Sequence, residues 1–210
     1  MHIGMIDSPE FMEGPIAEVN LSKIEREWNG AIAFIDRDGV LNIGSPNYIN
    51  SPEELQIIEG SKEAILALHN LGYRIVIVTN QSAIMRGIWG EETIHSIHKR
   101  LQEEIGGIDV LMTCPHRNRD NCACRKPRPG MLNYASELIR NESHSKVDWW
   151  GAKPQPIHPL DLMVGDRKTD MAAGWAVGAR LFEVEEDVGI ASVIERIIQE
   201  DAGDDFNPVE

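Results

Sequence analysis

The sequence predicts a doubly wound, mostly parallel α/β sheet. Five short apolar runs are too continuous to alternate between core and water, helical segments separate them, and polar clusters follow three of the runs. In an open sheet of this kind the chemistry collects beyond the carboxyl ends of the strands, so those clusters are where function is sought.

The runs are Ala31–Ile35, Ile75–Val78, Ile108–Met112, Leu162–Val164 and Ala179–Phe182. Between the first two, Ile65 and Leu68 share a helical face in the segment from Ser61 to Gly72. Ile94, Ile97, Leu101 and Ile105 recur at helical spacing before Gly106, a C-cap residue. Pro129-Gly130 opens a helix carrying Leu132, Ala135, Leu138 and Ile139, and two more helices follow Thr169 and Gly189. Residues 143–160, with Trp149-Trp150 and three prolines, read as a surface excursion. The expected organisation is a single domain over residues 1–210: a core of about 30–183, an N-terminal extension 1–29 of mixed charge, and an acidic C-terminal helix and tail 184–210. Both ends are expected to be frayed or loosely docked. The intervals around the first two strands leave no room for a large cap domain.

Composition narrows the class. Twenty Lys and Arg against thirty-four Asp and Glu give −14, which disfavours a surface built to embrace nucleic acid or an anionic membrane. The charge is uneven: residues 183–210 hold ten acids against one arginine, whereas residues 114–128 hold five basic residues against one acid. No stretch approaches the roughly 20 apolar residues of a membrane span, and residues 1–30 lack the apolar core of a signal peptide. A cytoplasmic protein is expected, a monomer or small homo-oligomer, acting on a small molecule.

Asp36-Arg37-Asp38-Gly39 follows the first run. Residues two apart on an extended segment point the same way, so two carboxylates can converge there, either to hold Mg²⁺ or to divide labour between nucleophile and acid/base; a polar turn is the plain alternative. Thr79-Asn80-Gln81-Ser82 follows the second and offers uncharged donors to phosphate oxygens, or a helix cap. Gly165-Asp166-Arg167 follows the fourth, where Asp166 would complete a Mg²⁺ site. All three cysteines fall within eleven residues, as Cys114-Pro-His116 and Cys122-Ala-Cys124. A Cys₃His set fits structural Zn²⁺ in a reducing compartment, and full protein ligation leaves no position for a catalytic water. That loop runs into Arg125-Lys126, a cationic pair suited to one phosphate.

Taken together, Asp36-x-Asp38-Gly, Thr79, Lys126 and Asp166 resemble the four motifs of the haloacid-dehalogenase superfamily of aspartate-nucleophile phosphatases, over about residues 31–182. Asp-Arg-Asp-Gly-Val-Leu-Asn, Thr-Asn-Gln-Ser-x-Ile-x-Arg-Gly and Cys-x-Cys-Arg-Lys-Pro-x-Pro-Gly-Met are similar to its zinc-containing subgroup, which includes heptose-1,7-bisphosphate 7-phosphatases and histidinol-phosphatases. The resemblance implies a Rossmann-like fold without a large cap, with Asp36 as nucleophile and Asp38 as acid and then base. It implies that Thr79, Arg125 and Lys126 stabilise the phosphoryl group. Mg²⁺ would lie between Asp36, Asp166 and the main-chain carbonyl of Asp38. Gly44, Ser45, Pro46, Asn47, Asn80, Gln81, Ser82, Arg86 and Arg167 are the expected substrate contacts.

Ser82, Ile84, Arg86 and Gly87 favour a heptose bisphosphate substrate. The five-residue gap between His116 and Cys122, and Arg167 after Asp166, pull toward histidinol phosphate, while Ala83 replaces an expected glycine. A polynucleotide 3′-phosphatase shares the Thr-Asn-Gln and Arg-Lys-Pro features, but no Gly-x-x-x-x-Gly-Lys-Ser/Thr kinase loop accompanies them. The non-enzyme readings are a receiver-like switch, for which an Asp38 acid/base is superfluous, and a zinc-stabilised nucleic-acid-binding module.

Overall fold

A computed structural model describes residues 14–21, 27–141 and 151–208. Six strands form one sheet: β1 (Ile16–Val19), β2 (Ile32–Ile35), β3 (Arg74–Asn80), β4 (Val110–Cys114), β5 (Leu162–Gly165) and β6 (Arg180–Glu183). Their order is β1-β4-β3-β2-β5-β6, with every pairing parallel except the antiparallel β1–β4 edge. The helices are α1 (Ser61–Asn70), α2 (Glu91–Glu104), α3 (Gly130–Arg140), α4 (Lys168–Ala176) and α5 (Ile194–Ile198). From central β2 the chain builds outward through β3 and β4, then returns to build β5 and β6 on the other flank. The direction of winding therefore reverses at the end of β2, the kind of crevice in which open α/β sheets bind ligands.

Both faces of the sheet are covered, so the strands are apolar at successive positions. Ala33, Ile35, Ile75, Ile77, Leu111 and Val164 pack toward Ile65, Leu68 and Leu101. Their neighbours Ile32, Phe34, Val76, Val78, Met112 and Met163 pack toward Met131, Leu132, Met171 and Ala173. The two-residue strand period divides one continuous run between two cores.

Two buried aspartates fasten the opposite edge. Asp161 Oδ1 accepts the N–H of Ile32 at 2.8 Å and is paired with Arg140. Asp109 Oδ2 accepts the N–H of Ile75 at 2.7 Å and is paired with Arg74. Because Asp109 makes this side-chain clasp, the strand expected from Ile108 starts at Val110 and runs on to Cys114, carrying the first cysteine to the site edge.

The termini differ from expectation. Ile16–Val19 is not frayed but is an edge strand, too short and too exposed on alternate residues to stand out in the sequence. At the other end, Arg196 pairs with Asp201 and Asp205, and Gly203 O accepts the Leu181 N–H, docking the acidic tail against β6. Trp149-Trp150 lie outside the described residues. Ile77 is wholly buried in the central strands, so Ile77→Ala is expected to lower unfolding free energy by about 3 kcal/mol in a urea titration.

Candidate active site

The chain turns sharply after β2. The Arg37 carbonyl accepts the amides of Leu41 and Asn42, and Gly39 N–H bonds Asn42 O at 2.7 Å. Gly39 has φ +82°, and a Cβ there would come within 2.8 Å of Asp166 Oδ2. The glycine is thus required both by the backbone and by the approach of the β5 end. Gly165 serves a similar end, since a Cβ there would overlap Asp170.

This geometry brings Asp36, Asp166 and Asp170 together, with a carboxylate oxygen from each within 4.8 Å of the others. Lys126 lies against two of them, with Nζ 2.8 Å from Asp36 Oδ1, 2.7 Å from Asp170 Oδ1 and 2.7 Å from the Val78 carbonyl. Burial alone would favour the neutral amine, but the charges of Asp170 and Asp36 outweigh it and raise the Lys126 pKa. Burial, followed by the Asp170 charge, pushes Asp36 up to about 7 despite Lys126. Asp166 is raised too, by burial and by Asp36. Asp166 Oδ1 is buried with no hydrogen-bond partner among the described residues. An all-oxygen cluster with excess negative charge and an unsatisfied carboxylate oxygen fits Mg²⁺.

The Asp38 carboxylate stands apart from this cluster. It accepts from Arg37 Nη2 (2.9 Å), Asn42 Nδ2 (3.0 Å) and Gln81 Nε2 (2.7 Å). Burial pulls its pKa upward, yet the Arg37 charge and these donors hold it below the usual carboxylate range. Gln81 also donates to Thr79 Oγ1 at 2.8 Å, tying the β3 end to the β2 end.

A cavity of about 530 Å³ opens above these groups. Of the residues expected from sequence, Asp36, Asp38, Gly44, Ser45, Pro46, Thr79, Asn80, Gln81, Ser82, Arg86, Arg125, Lys126 and Arg167 line it. Asp166 and the exposed Asn47 are not among the residues that line it. Asn80 also braces the neighbouring loop. Its side chain clasps the Lys126 peptide through both N–H and C=O at 3.2 Å, fixing the segment that carries the ammonium.

Asp170, Tyr48, Asn118 and Lys168 join the wall although the sequence pattern does not mark them. Asp170 sits one helical turn beyond Asp166, a spacing that could have pointed to it. Tyr48 has φ +66° and places its Oη 3.1 Å from Ser82 Oγ, a contact with no local sequence signal.

Beside the cavity, Cys114, His116, Cys122 and Cys124 converge. Sulfur–sulfur distances are 3.3, 3.5 and 3.7 Å, and His116 Nδ1 is 3.2 Å from Cys124 Sγ. No disulfide forms. These separations approach the edge of a tetrahedron with Zn–S bonds of about 2.3 Å, so the donor set fits Zn²⁺. Hydrogen bonding from Cys124 lowers the Cys114 thiol to about 6, while Cys122, mainly by burial, and Cys124, mainly by its bond to Cys114, are pushed up. The loop reaches the cavity through Arg125, whose Nη1 donates to the His116 carbonyl at 3.0 Å.

Comparison with known proteins bears on the family of the chain. A family model described as polynucleotide kinase 3 phosphatase matches residues 32–151, and a HAD-hydrolase-like model matches residues 123–203. A D-glycero-β-D-manno-heptose-1,7-bisphosphate 7-phosphatase of Pseudomonas putida is 37% identical over 153 residues, covering 71% of this chain and 79% of that protein. The chain belongs to the haloacid-dehalogenase-type heptose-1,7-bisphosphate 7-phosphatase family. It is a phosphoric monoester hydrolase. Its relative from Bordetella bronchiseptica is 33% identical over 181 residues, covering 80% of this chain and 98% of that one. The crystal structure of a B. bronchiseptica D,D-heptose 1,7-bisphosphate phosphatase, complexed with magnesium and phosphate, superposes with a TM-score of 0.64. It is 27% identical and covers 81% of this chain and 99% of that one.

In the metal-free protein the raised Asp36 pKa means that folding takes up a proton between the ordinary carboxylate range and about pH 7. Stability is therefore lost as pH rises through that window. Calorimetry without Mg²⁺ is expected to show Tm falling from pH 5 toward 7.5, Mg²⁺ is expected to raise Tm more at the upper end, and Asp36→Asn is expected to flatten the dependence.

Proposed function

We propose that the chain is a Mg²⁺-dependent phosphomonoesterase that removes the 7-phosphate of D-glycero-D-manno-heptose 1,7-bisphosphate through an aspartyl-phosphate intermediate. The observation that carries this reading is the salt-bridged Asp36 at the floor of the cavity, opposite a second carboxylate with its own set of donors. Both Asp36 contacts, from Lys126 and from the Arg37 amide at 2.7 Å, fall on Oδ1, leaving Oδ2 to attack.

In the first half-reaction an Asp36 oxygen bonds to phosphorus as the phosphorus–oxygen bond to the sugar breaks, and Asp38, which must first take up a proton against the pull of Arg37, gives that proton to the departing alkoxide. In the second, Asp38 as carboxylate takes a proton from water. The water oxygen attacks phosphorus, and Asp36 is released with inorganic phosphate. Thr79 and Arg125 would donate to the equatorial oxygens, where charge accumulates, and Lys126, its three N–H groups held by Asp36, Asp170 and the Val78 carbonyl, would stabilise that charge by its own positive charge. Mg²⁺ held by Asp36, Asp166 and the Asp38 carbonyl, with Asp170 beside them, would supply further neutralisation of that charge. Zn²⁺ held by Cys114, His116, Cys122 and Cys124 would be structural, fixing the loop on which Arg125 and Lys126 are presented. Reduced thiols in such a site suit a cytoplasmic enzyme.

The heptose substrate is favoured over histidinol phosphate by the mouth. A second cavity, of about 560 Å³, shares Arg86 and Asn118 with the first and is otherwise lined by Arg117 and Arg119. Arg117 is neutralised by Asp120 at 2.9 Å, which leaves Arg86 and Arg119 as net cations. They would attract a second phosphate and repel the ammonium of an amino alcohol.

Phosphate release with heptose bisphosphate, histidinol phosphate and a 3′-phosphorylated oligonucleotide is expected to give the highest kcat/KM for the first; preference for either other compound would reverse the substrate assignment. Asp36→Asn is expected to abolish turnover with every substrate. Arg119→Ala is expected to lower kcat/KM for the bisphosphate about tenfold, the size of one charge-assisted contact, without changing hydrolysis of p-nitrophenyl phosphate.

A further inference from the structure

Behind Asp38 lies a chain of buried polar groups that the hydrolytic scheme does not use. Arg37 is fully buried, and its guanidinium grips Asp38 through Nε (3.2 Å) and Nη2 (2.9 and 3.0 Å). Its remaining nitrogen, Nη1, is buried without a hydrogen-bond partner among the described residues. From α2, His98 is buried within electrostatic reach of both Arg37 and Asp38. Its Nδ1 donates to Glu18 Oε1 at 2.5 Å, and its Nε2 is likewise buried and without a hydrogen-bond partner among the described residues. Glu18 comes from edge strand β1, and its other oxygen is 3.2 Å from His95 Nδ1.

We propose that Arg37, oriented from behind by the Glu18–His98 pair, is a positioning residue that aims the Asp38 carboxyl at the leaving-group oxygen. This inference rests on the phosphomonoesterase reading, with Asp38 as proton donor. The ionised Glu18 accepts from Nδ1 and thereby fixes the tautomer in which Nε2 carries a lone pair. A lone pair near a buried guanidinium is attractive, whereas an N–H there would repel it. Burial holds His98 neutral, which avoids placing a second cation beside Arg37. The guanidinium fork then fixes the carboxylate in two directions, which a lysine ammonium could not.

Leaving-group chemistry separates positioning from general damage. A sugar alkoxide must be protonated as it departs, whereas p-nitrophenolate leaves without a proton. The Mg²⁺-loaded, zinc-replete protein and its Glu18→Gln, His98→Gln and Arg37→Lys variants are compared by kcat/KM, which reports the step in which the ester bond breaks. Glu18 is partly exposed, so Glu18→Gln is the variant least able to disturb folding.

The expected result is a fall of about tenfold for heptose 1,7-bisphosphate, a part of the roughly hundredfold or more that general-acid catalysis supplies, with p-nitrophenyl phosphate hydrolysis held within about twofold. An equal fall for both esters, or none in any variant, would overturn the positioning role while leaving the phosphatase reading intact. Absence of turnover of both esters by the unaltered protein would overturn that reading and this inference together.

Discussion

The buried Lys126 ammonium is the interaction on which the rest of the site depends. It joins the nucleophile candidate Asp36, at the end of β2, to Asp170 on α4 and to the Val78 carbonyl near the end of β3. Without a cation there, Asp36, Asp166 and Asp170 would form a buried cluster of like charges, which folding could accommodate only by protonating them. With it, one carboxylate oxygen is held in place while the cluster keeps enough negative charge to attract a divalent cation. The cost of desolvating the ammonium is met by two carboxylates and a carbonyl rather than by one partner. Much of the surrounding loop structure serves to deliver that one amine, including the Asn80 clasp and the close approach of Gly165 to Asp170.

Carboxylates sit at both edges of the sheet but do different things. Asp109 and Asp161, at the amino ends of β4 and β5, are each paired with an arginine and accept a main-chain N–H of the neighbouring strand, so their charge is spent on holding strands in register. Asp36 and Asp166, at the carboxyl ends, lie beside more negative charge than their cation neutralises, and the Asp166 Oδ1 atom is unsatisfied. Charge balance, rather than burial, distinguishes the structural edge from the reactive one. The cysteine loop extends this edge outward, and the bond from Arg125 to the His116 carbonyl couples its shape to the cations that line the cavity.

How much of this could be read from the residues follows from where the signals lie. Asp36, Asp38, Thr79 and Lys126 are legible because each stands at or near the end of an apolar run or beside the cysteines, and topology brings such positions together. Asp170 is not, because an aspartate in the first turn of a helix reads as a cap; indeed its Oδ2 accepts the Arg167 N–H at 3.0 Å while its other oxygen meets Lys126. Strand β1 escapes notice because four half-exposed residues, paired only at one edge, carry no pattern until β4 is in place. The Arg37 side chain, hidden between two conspicuous aspartates, reads as solvated until the fold buries it. Partnerships that join distant segments, Glu18 with His98 or Asn80 with Lys126, have no local signature at all.

The central claim is that Asp36, held by Lys126, is the residue that takes the phosphoryl group. It is tested most directly by mixing the Mg²⁺-loaded protein with heptose 1,7-bisphosphate, quenching in acid during turnover, reducing with borohydride and mapping the peptides by mass spectrometry. An aspartyl-phosphate at Asp36 is reduced to homoserine, so that mass change is expected at Asp36 alone. Its appearance at Asp38, Asp166 or Asp170, or the absence of any reduced aspartate while phosphate is being released, would contradict the claim.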